Sequence, residues 1–237
     1  MNMNQEECGI RIRNRENYAF EGHYMQKLIK RFREAGVIAI LRGNNPKRLE
    51  ERAFELVDLG CKVIEVTLDS PSALDIVHKL STQLNPEEVL VGVGTLLDVE
   101  MIDDCIEAGA KFALSPVSPP LMIEKCHEKG LLAIPGVSTP DEMNDAINRG
   151  AKLIKLYPAS SWESQMLIGV KTPWIPVGGI DQNTITEWLD KGAFCVGMGT
   201  HLCGSDLSGD DDNGWDVKEA KVARDIFKEL QRRGGVA

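Results

Sequence analysis

The 237-residue chain contains no window approaching the ~18 consecutive apolar residues that a membrane-spanning helix requires. Its first 22 residues lack the apolar run of a secretory signal, so an unexported chain is expected. Positive charge is in deficit: 27 Lys and Arg stand against 36 Asp and Glu, a formal net charge of −9. That sign is wrong for affinity built on neutralising nucleic-acid phosphates or anionic lipid, and neither partner is expected. The six cysteines (8, 61, 105, 126, 195 and 203) include no CxxC pair and mostly sit in apolar runs. They read as reduced, buried small hydrophobes, and a cytoplasmic location is the matching expectation. Only four histidines occur; 23, 78 and 127 fall on or before helical stretches and only His201 follows a strand end, so no three-ligand metal set assembles and no metal is expected. A GxSxG elbow is missing, as is a GxGxxG after the first strand.

What is present is enough for one large core: 43% of the residues are hydrophobic and 27% charged, in 26.1 kDa. Short apolar, β-branched runs recur about every 20 residues, at 37–41, 62–68, 88–94, 111–116, 131–135, 152–158, 174–179 and 194–199. They are continuous rather than alternating, the pattern of parallel strands buried on both faces. Amphipathic helical stretches lie between them, at 46–59, 72–84, 99–108, 119–129, 140–149 and 183–191. Ser70-Pro71, Ser118-Pro119 and Thr139-Pro140 each offer a capping hydroxyl before a proline whose missing N–H costs nothing in a first turn. A glycine closes most helices just before the next strand. Eight βα repeats with turns this short predict an α/β fold of the (β/α)8 TIM-barrel type, with a doubly wound open sheet as the alternative. Residues 1–22 are expected to be a flexible extension and 23–237 a single barrel domain, its bottom closed by a helix over 24–35. The acidic run 205–215 is expected to be a solvated loop, because it lacks the Gly and Glu spacing of a calcium loop.

Barrel chemistry belongs at the carboxyl ends of the strands. Lys155 sits inside an otherwise apolar run, where desolvation lowers an amine's pKa and frees the neutral nucleophile that forms an imine with a carbonyl. The alternative is a strand-end lysine reaching solvent or paired with a structural carboxylate. Glu65, between Ile64 and Val66, is either a general acid/base or a structural partner for Arg42 or Lys155. Arg42, ending the first strand, can hold a 2-oxo acid's carboxylate by two parallel hydrogen bonds or make a rim salt bridge. Gly178, Gly179 and Gly199, after the last two strands, permit the close backbone approach that a phosphate site uses; ordinary tight turns are the alternative.

These pieces, in this order, resemble the class I 2-keto-3-deoxy-6-phosphogluconate and 6-phosphogalactonate aldolases, which include 4-hydroxy-2-oxoglutarate aldolases. The resemblance runs from about residue 36 to 202, through GVIAILRGNNP, EVTLDSP, GVGTLLD, AGAKFALSP, IPGVSTPDEM, KLYPAS, VGGI and GMGTHL. It implies that Lys155 is the Schiff-base lysine and Glu65 the proton-shuttling acid/base. It further implies that Thr95 and Pro116 lie at the pyruvyl end, and that Gly178, Gly179, Gly199 and Thr200 hold phosphate. Asp69 stands where gluconate-type members have arginine, whereas Arg42 in ILRG and Ser70-Pro71 look like the galactonate branch. The implied enzyme is a cofactor-independent lyase of Entner-Doudoroff-type carbohydrate metabolism, cleaving a 2-keto-3-deoxy-6-phospho sugar acid to pyruvate and glyceraldehyde 3-phosphate. By the same resemblance it is a homo-oligomer, a trimer. Competing readings are 4-hydroxy-2-oxoglutarate as substrate, a phosphate-binding barrel isomerase or decarboxylase that forms no imine, and a non-catalytic binding barrel.

Overall fold

The computed structural model describes residues 15–208 and 214–234. Helices and strands alternate: α1 (Arg15–Ala35), β1 (Val37–Leu41), α2 (Pro46–Asp58), β2 (Val63–Thr67), α3 (Ala73–Gln83), β3 (Leu90–Gly94), α4 (Ile102–Glu107), β4 (Phe112–Leu114) and α5 (Met122–Glu128). They continue with β5 (Leu132–Ile134), β6 (Gly136–Val137), α6 (Pro140–Asn148), β7 (Ile154–Leu156), β8 (Trp174–Pro176), α7 (Ile185–Asp190), β9 (Val196–Met198), α8 (Thr200–Cys203) and α9 (Val217–Arg232). The strands pair in parallel, in one six-stranded sheet of order β5-β4-β3-β2-β1-β9 and one three-stranded sheet β6-β7-β8.

The result is an α/β fold whose larger sheet forms a parallel half-barrel. β9 pairs with β1 from Val37↔Val196 to Ala39↔Met198, so the last strand returns to the first. An open doubly wound sheet does not have that order. The run expected as a fifth strand, 131–135, forms β5 and stops at Pro135, which has no N–H to give a ladder, and the separate short strand β6 follows beyond it. β5 pairs back to β4, and β6 pairs onward to β7. Beyond β8, a bridge between Val177 and Gly197 links the smaller sheet to β9.

Each strand is covered on both faces because its alternate residues enter different cores. Ile38, Val63, Leu90, Phe112, Leu132 and Cys195 cluster on one face with Leu28 and Phe32 of α1. Val37, Ala39, Ile64, Val66, Val91 and Val93 join the helix residues Leu49, Leu56, Ile76 and Ile102 on the other. This two-sided burial is why the runs read as continuously apolar.

Several local expectations change. α1 begins at Arg15, within the stretch expected to be a flexible extension, and residues 1–14 lie outside the described residues. Thr139 does cap α6 by accepting from the Glu142 N–H, but the other two proposed caps do not hold. α3 starts only at Ala73, and Ser70 Oγ instead accepts from the Gly43 N–H at 3.2 Å. α5 starts at Met122, leaving Ser118 Oγ buried without a partner among the described residues. The acidic run is not wholly solvated, since Asp206 sits at 15% side-chain exposure between two arginines. Asp210, Asp211 and Asp212 lie outside the described residues. Cys61, Cys105, Cys126, Cys195 and Cys203 are free and buried, as expected of small hydrophobes; Cys8 is outside the described residues.

Phe32 is fully buried, its ring edge-on to Phe112 at 5.0 Å between centroids. Phe32→Ala should cost about 3–5 kcal/mol of unfolding free energy, measured by urea denaturation. A loss below about 1 kcal/mol would show that α1 is not part of the packed core.

Candidate active site

Residues of β1, β2 and β7 that point to the same side as the α1 cluster continue toward the strands' carboxyl ends, where the apolar filling stops. Glu65 follows Val63 by two residues and Lys155 follows Leu153 by two. Both are nearly inaccessible, at 1% and 6% exposure. Space for the Glu65 carboxyl exists because β3 presents glycine beside it: a Cβ at Gly94 would overlap the Glu65 carboxyl oxygen. Glu65 Oε2 has no hydrogen-bond partner among the described residues.

Burial displaces both groups toward neutrality. It pushes the Glu65 carboxyl above the usual carboxylate range, against the pull of Lys155 and Arg42 and with the help of Asp69. It pushes the Lys155 amine below the usual lysine value, helped by Arg42 and opposed by Glu65. The Tyr157 ring, two residues along the strand, lies 5.0 Å from Lys155 Nζ. An uncharged amine beside a protonated acid can attack a carbonyl and deliver a proton to the oxygen that must leave.

Arg42 stands at the rim. Its Nη2 donates to Thr95 Oγ1 at 2.8 Å, and its Nε is 3.4 Å from both Thr67 Oγ1 and Asp69 Oδ2. Thr67 and Ser70 share a hydroxyl hydrogen bond at 3.1 Å, which with the Gly43 contact ties the ends of β1 and β2 together. Thr95 has a left-handed backbone, φ 58°, a conformation costing a side-chain-bearing residue about 1–2 kcal/mol. The Arg42–Asp69 pair is half-exposed on each side, so its worth is orientation rather than stability.

All nine residues singled out in the sequence (Arg42, Glu65, Thr95, Pro116, Lys155, Gly178, Gly179, Gly199 and Thr200) line one cavity of about 520 Å³. Asp69, Tyr157, His201, Gly204 and Leu207 line it too. Tyr157 was readable, since the two-residue strand period puts it on the face of Lys155. Gly204 and Leu207 gave no such signal, because they follow a four-residue helix in a segment without periodicity. Among the described residues no group of three or more His, Cys, Asp or Glu could hold a metal ion.

The family model for KDPG and KHG aldolases matches residues 28–217. The chain belongs to this family. It is 28% identical over 185 residues to a probable 2-dehydro-3-deoxy-6-phosphogalactonate aldolase of Rhizobium meliloti (strain 1021), covering 75% of this chain and 86% of that one. It is 32% identical over 161 residues to the KHG/KDPG aldolase of Escherichia coli (strain K12), covering 64% and 75%. Among solved structures, the 2-keto-3-deoxy-6-phosphogluconate aldolase of Zymomonas mobilis ZM4 with 3-phosphoglycerate superposes with a TM-score of 0.72, at 23% identity, over 86% of this aldolase-family chain and 95% of that one. The Legionella pneumophila KDPG aldolase, in which pyruvate was captured as a covalent carbinolamine, gives 0.70 at 24% identity over 85% and 95%.

Because burial penalises the ammonium form, the neutral Lys155 amine should persist to lower pH than a free lysine's. Acylation of Lys155 by a small electrophile such as acetic anhydride, followed by peptide mass spectrometry across pH, should show a midpoint below the ordinary lysine value of about 10.4, the direction in which burial shifts it. A midpoint at or above that value would mean that the side chain is effectively solvated.

Proposed function

We propose that the protein is a class I aldolase that cleaves a 2-keto-3-deoxy-6-phospho sugar acid to pyruvate and glyceraldehyde 3-phosphate. The observation that carries this reading is a buried lysine and a buried glutamate facing one cavity whose rim holds an arginine. Lys155 Nζ attacks the C2 carbonyl, Glu65 protonates the oxygen that leaves as water, and a protonated imine forms. Glu65, now a carboxylate, takes the proton of the C4 hydroxyl. The electrons of the C3–C4 bond then pass into the imine, releasing the aldehyde and leaving an enamine. Protonation at C3 and hydrolysis return pyruvate and the free amine. Arg42 and Thr95 hold the C1 carboxylate, Pro116 shapes that end, and Gly178, Gly179, Gly199 and Thr200 take the phosphate. The carbinolamine captured in the Legionella pneumophila aldolase is the intermediate expected at Lys155.

The same reading closes the two sheets into one (β/α)8 barrel, its breaks lying at Pro135 and beyond β8, with α1 across the bottom. It takes residues 23–237 as a single domain, working without a cofactor as a cytoplasmic homo-oligomer, a trimer. A second substrate, 4-hydroxy-2-oxoglutarate cleaved to pyruvate and glyoxylate, is favoured by one observation. Apart from Lys155, Arg42 is the only lysine or arginine among the described residues lining the cavity, and Asp69 already faces it.

Borohydride in the presence of pyruvate should reduce the imine and attach one pyruvyl-derived group to Lys155, located by mass spectrometry, and Lys155→Arg should abolish trapping in a folded protein. Trapping at another lysine, or none in an active enzyme, would reject the imine and turn attention to an isomerase or decarboxylase. Arg42→Lys keeps the charge and loses the two-pronged donor, so the KM for substrate and the Kd for pyruvate should both rise about 10-fold. Pyruvate carries the carboxylate but no phosphate; unchanged pyruvate affinity with weakened binding of the phosphorylated substrate would reassign Arg42 to the phosphate end.

A further inference from the structure

Beneath the cavity wall lies an ionic cluster that the proposed chemistry does not use. Arg52 is 1% exposed on α2; its Nη2 donates to both oxygens of Asp206, at 2.9 and 3.1 Å, and its Nε to Glu55 Oε2 at 2.8 Å. Its Nη1 donates to the Cys203 carbonyl, and its guanidinium stacks on the Trp215 ring at 4.0 Å. The Arg48 side chain, 9% exposed one turn earlier on α2, brings Nη2 to 2.5 Å from Asp206 Oδ2. A Cβ at Gly204 would strike Arg52, Asp206 and Trp215 together. One arginine thus holds the chain on both sides of the acidic run.

The held segment is a wall of the cavity. Gly204 and Leu207 line it, whereas neither Arg52 nor Asp206 does. The Leu207 carbonyl accepts from the Asn44 N–H at 3.0 Å, and a Cβ at Gly43 would collide with that same carbonyl. Gly43 and Asn44 directly follow Arg42. A contact path therefore runs from α2 through Asp206 and Leu207 to the turn that carries the cavity's rim arginine.

We propose that Asp206 is a positioning residue: clamped by Arg48 and Arg52, it seats the 204–207 wall against the Gly43–Asn44 turn and so fixes where Arg42 meets the substrate's carboxylate. The inference rests on the aldolase reading and on Arg42 as the carboxylate clamp. A buried carboxylate between two guanidiniums suits this task, because removing its charge leaves Arg48 and Arg52 with the more exposed Glu51 and Glu55 as carboxylate partners and the wall without its anchor. Lys155 and Glu65 hang from β7 and β2 and do not depend on this path.

The test measures steady-state kinetics with the phosphorylated substrate and pyruvate binding on folded, soluble variants, after wild-type trapping with pyruvate and borohydride. Asp206→Asn should raise KM and the pyruvate Kd about 10-fold with kcat within about 3-fold, and Asp206→Glu should recover part of the loss. Gly43→Ala, which pushes on the Leu207 carbonyl while leaving the ionic cluster intact, should raise the same two constants. Lowered thermal stability with both constants unchanged would reduce the cluster to a structural staple and overturn the proposal, as would a fall in kcat at constant KM. Should Asp206→Asn or Gly43→Ala fail to fold, Arg48→Gln, which leaves Arg52 on Asp206, gives the same decision at smaller amplitude. Absence of wild-type trapping removes the aldolase reading and this inference with it; trapping with unmoved constants in the variants removes this inference alone.

Discussion

Ionised side chains are costly away from water, and Glu65 and Lys155 have almost none around them. Each hangs from a strand whose opposite face is sealed by helices, so neither can turn outward without breaking the sheet. The remaining freedom is in proton position, and both groups are displaced toward their uncharged forms. Much of the surrounding structure follows from this constraint. β3 supplies glycine where the carboxyl needs room, Tyr157 lays a ring against the amine, and Arg42 stands near enough to act on both pKa values. A site whose two groups are both displaced toward their uncharged forms is closer to proton transfer than a solvated ion pair is.

The cavity divides its labour between rigid and adjustable parts. The two buried groups come from strands, whose backbone is fixed by ladders on each side. Other lining residues come from the segments just after strands: Arg42 after β1, Thr95 after β3, the Gly178–Gly179 turn after β8 and Thr200, the first residue of α8, after β9. Turns tolerate substitution better than strands do. Asp69 lies on such a turn, so a change of charge at that position alters the cavity without touching the interior.

The architecture was legible because parallel strands buried on both faces leave unbroken apolar runs, and because glycine closes the helices between them. Gly60 is an example, with φ 105° at the end of α2. Lys155 and Glu65 were legible for the converse reason: each is a charge inside such a run. What could not be read were contacts made without periodicity. Ser70 looks like a helix cap, yet its hydroxyl is spent on Gly43 and Thr67, a choice that depends on where β1 ends in space. Asp206 looks like one more acid in a solvated run, and only the fold brings Arg48 and Arg52, more than 150 residues earlier, against it. The start of α1 at Arg15 was missed because Tyr18, Ala19 and Phe20 fall together in its first turns instead of at helical spacing, among charged neighbours.

Gly94 and Glu65 are bound together as a single heritable unit. Any side chain at 94 would occupy the volume that the carboxyl already fills, so the two positions cannot drift independently. A lineage adding even a methyl group at 94 would first have to shorten or withdraw residue 65, passing through a protein with a hole where the carboxyl had been. Glycine at this position is therefore what lets a full-length carboxyl stand at 65, and a change at either position must be answered at the other.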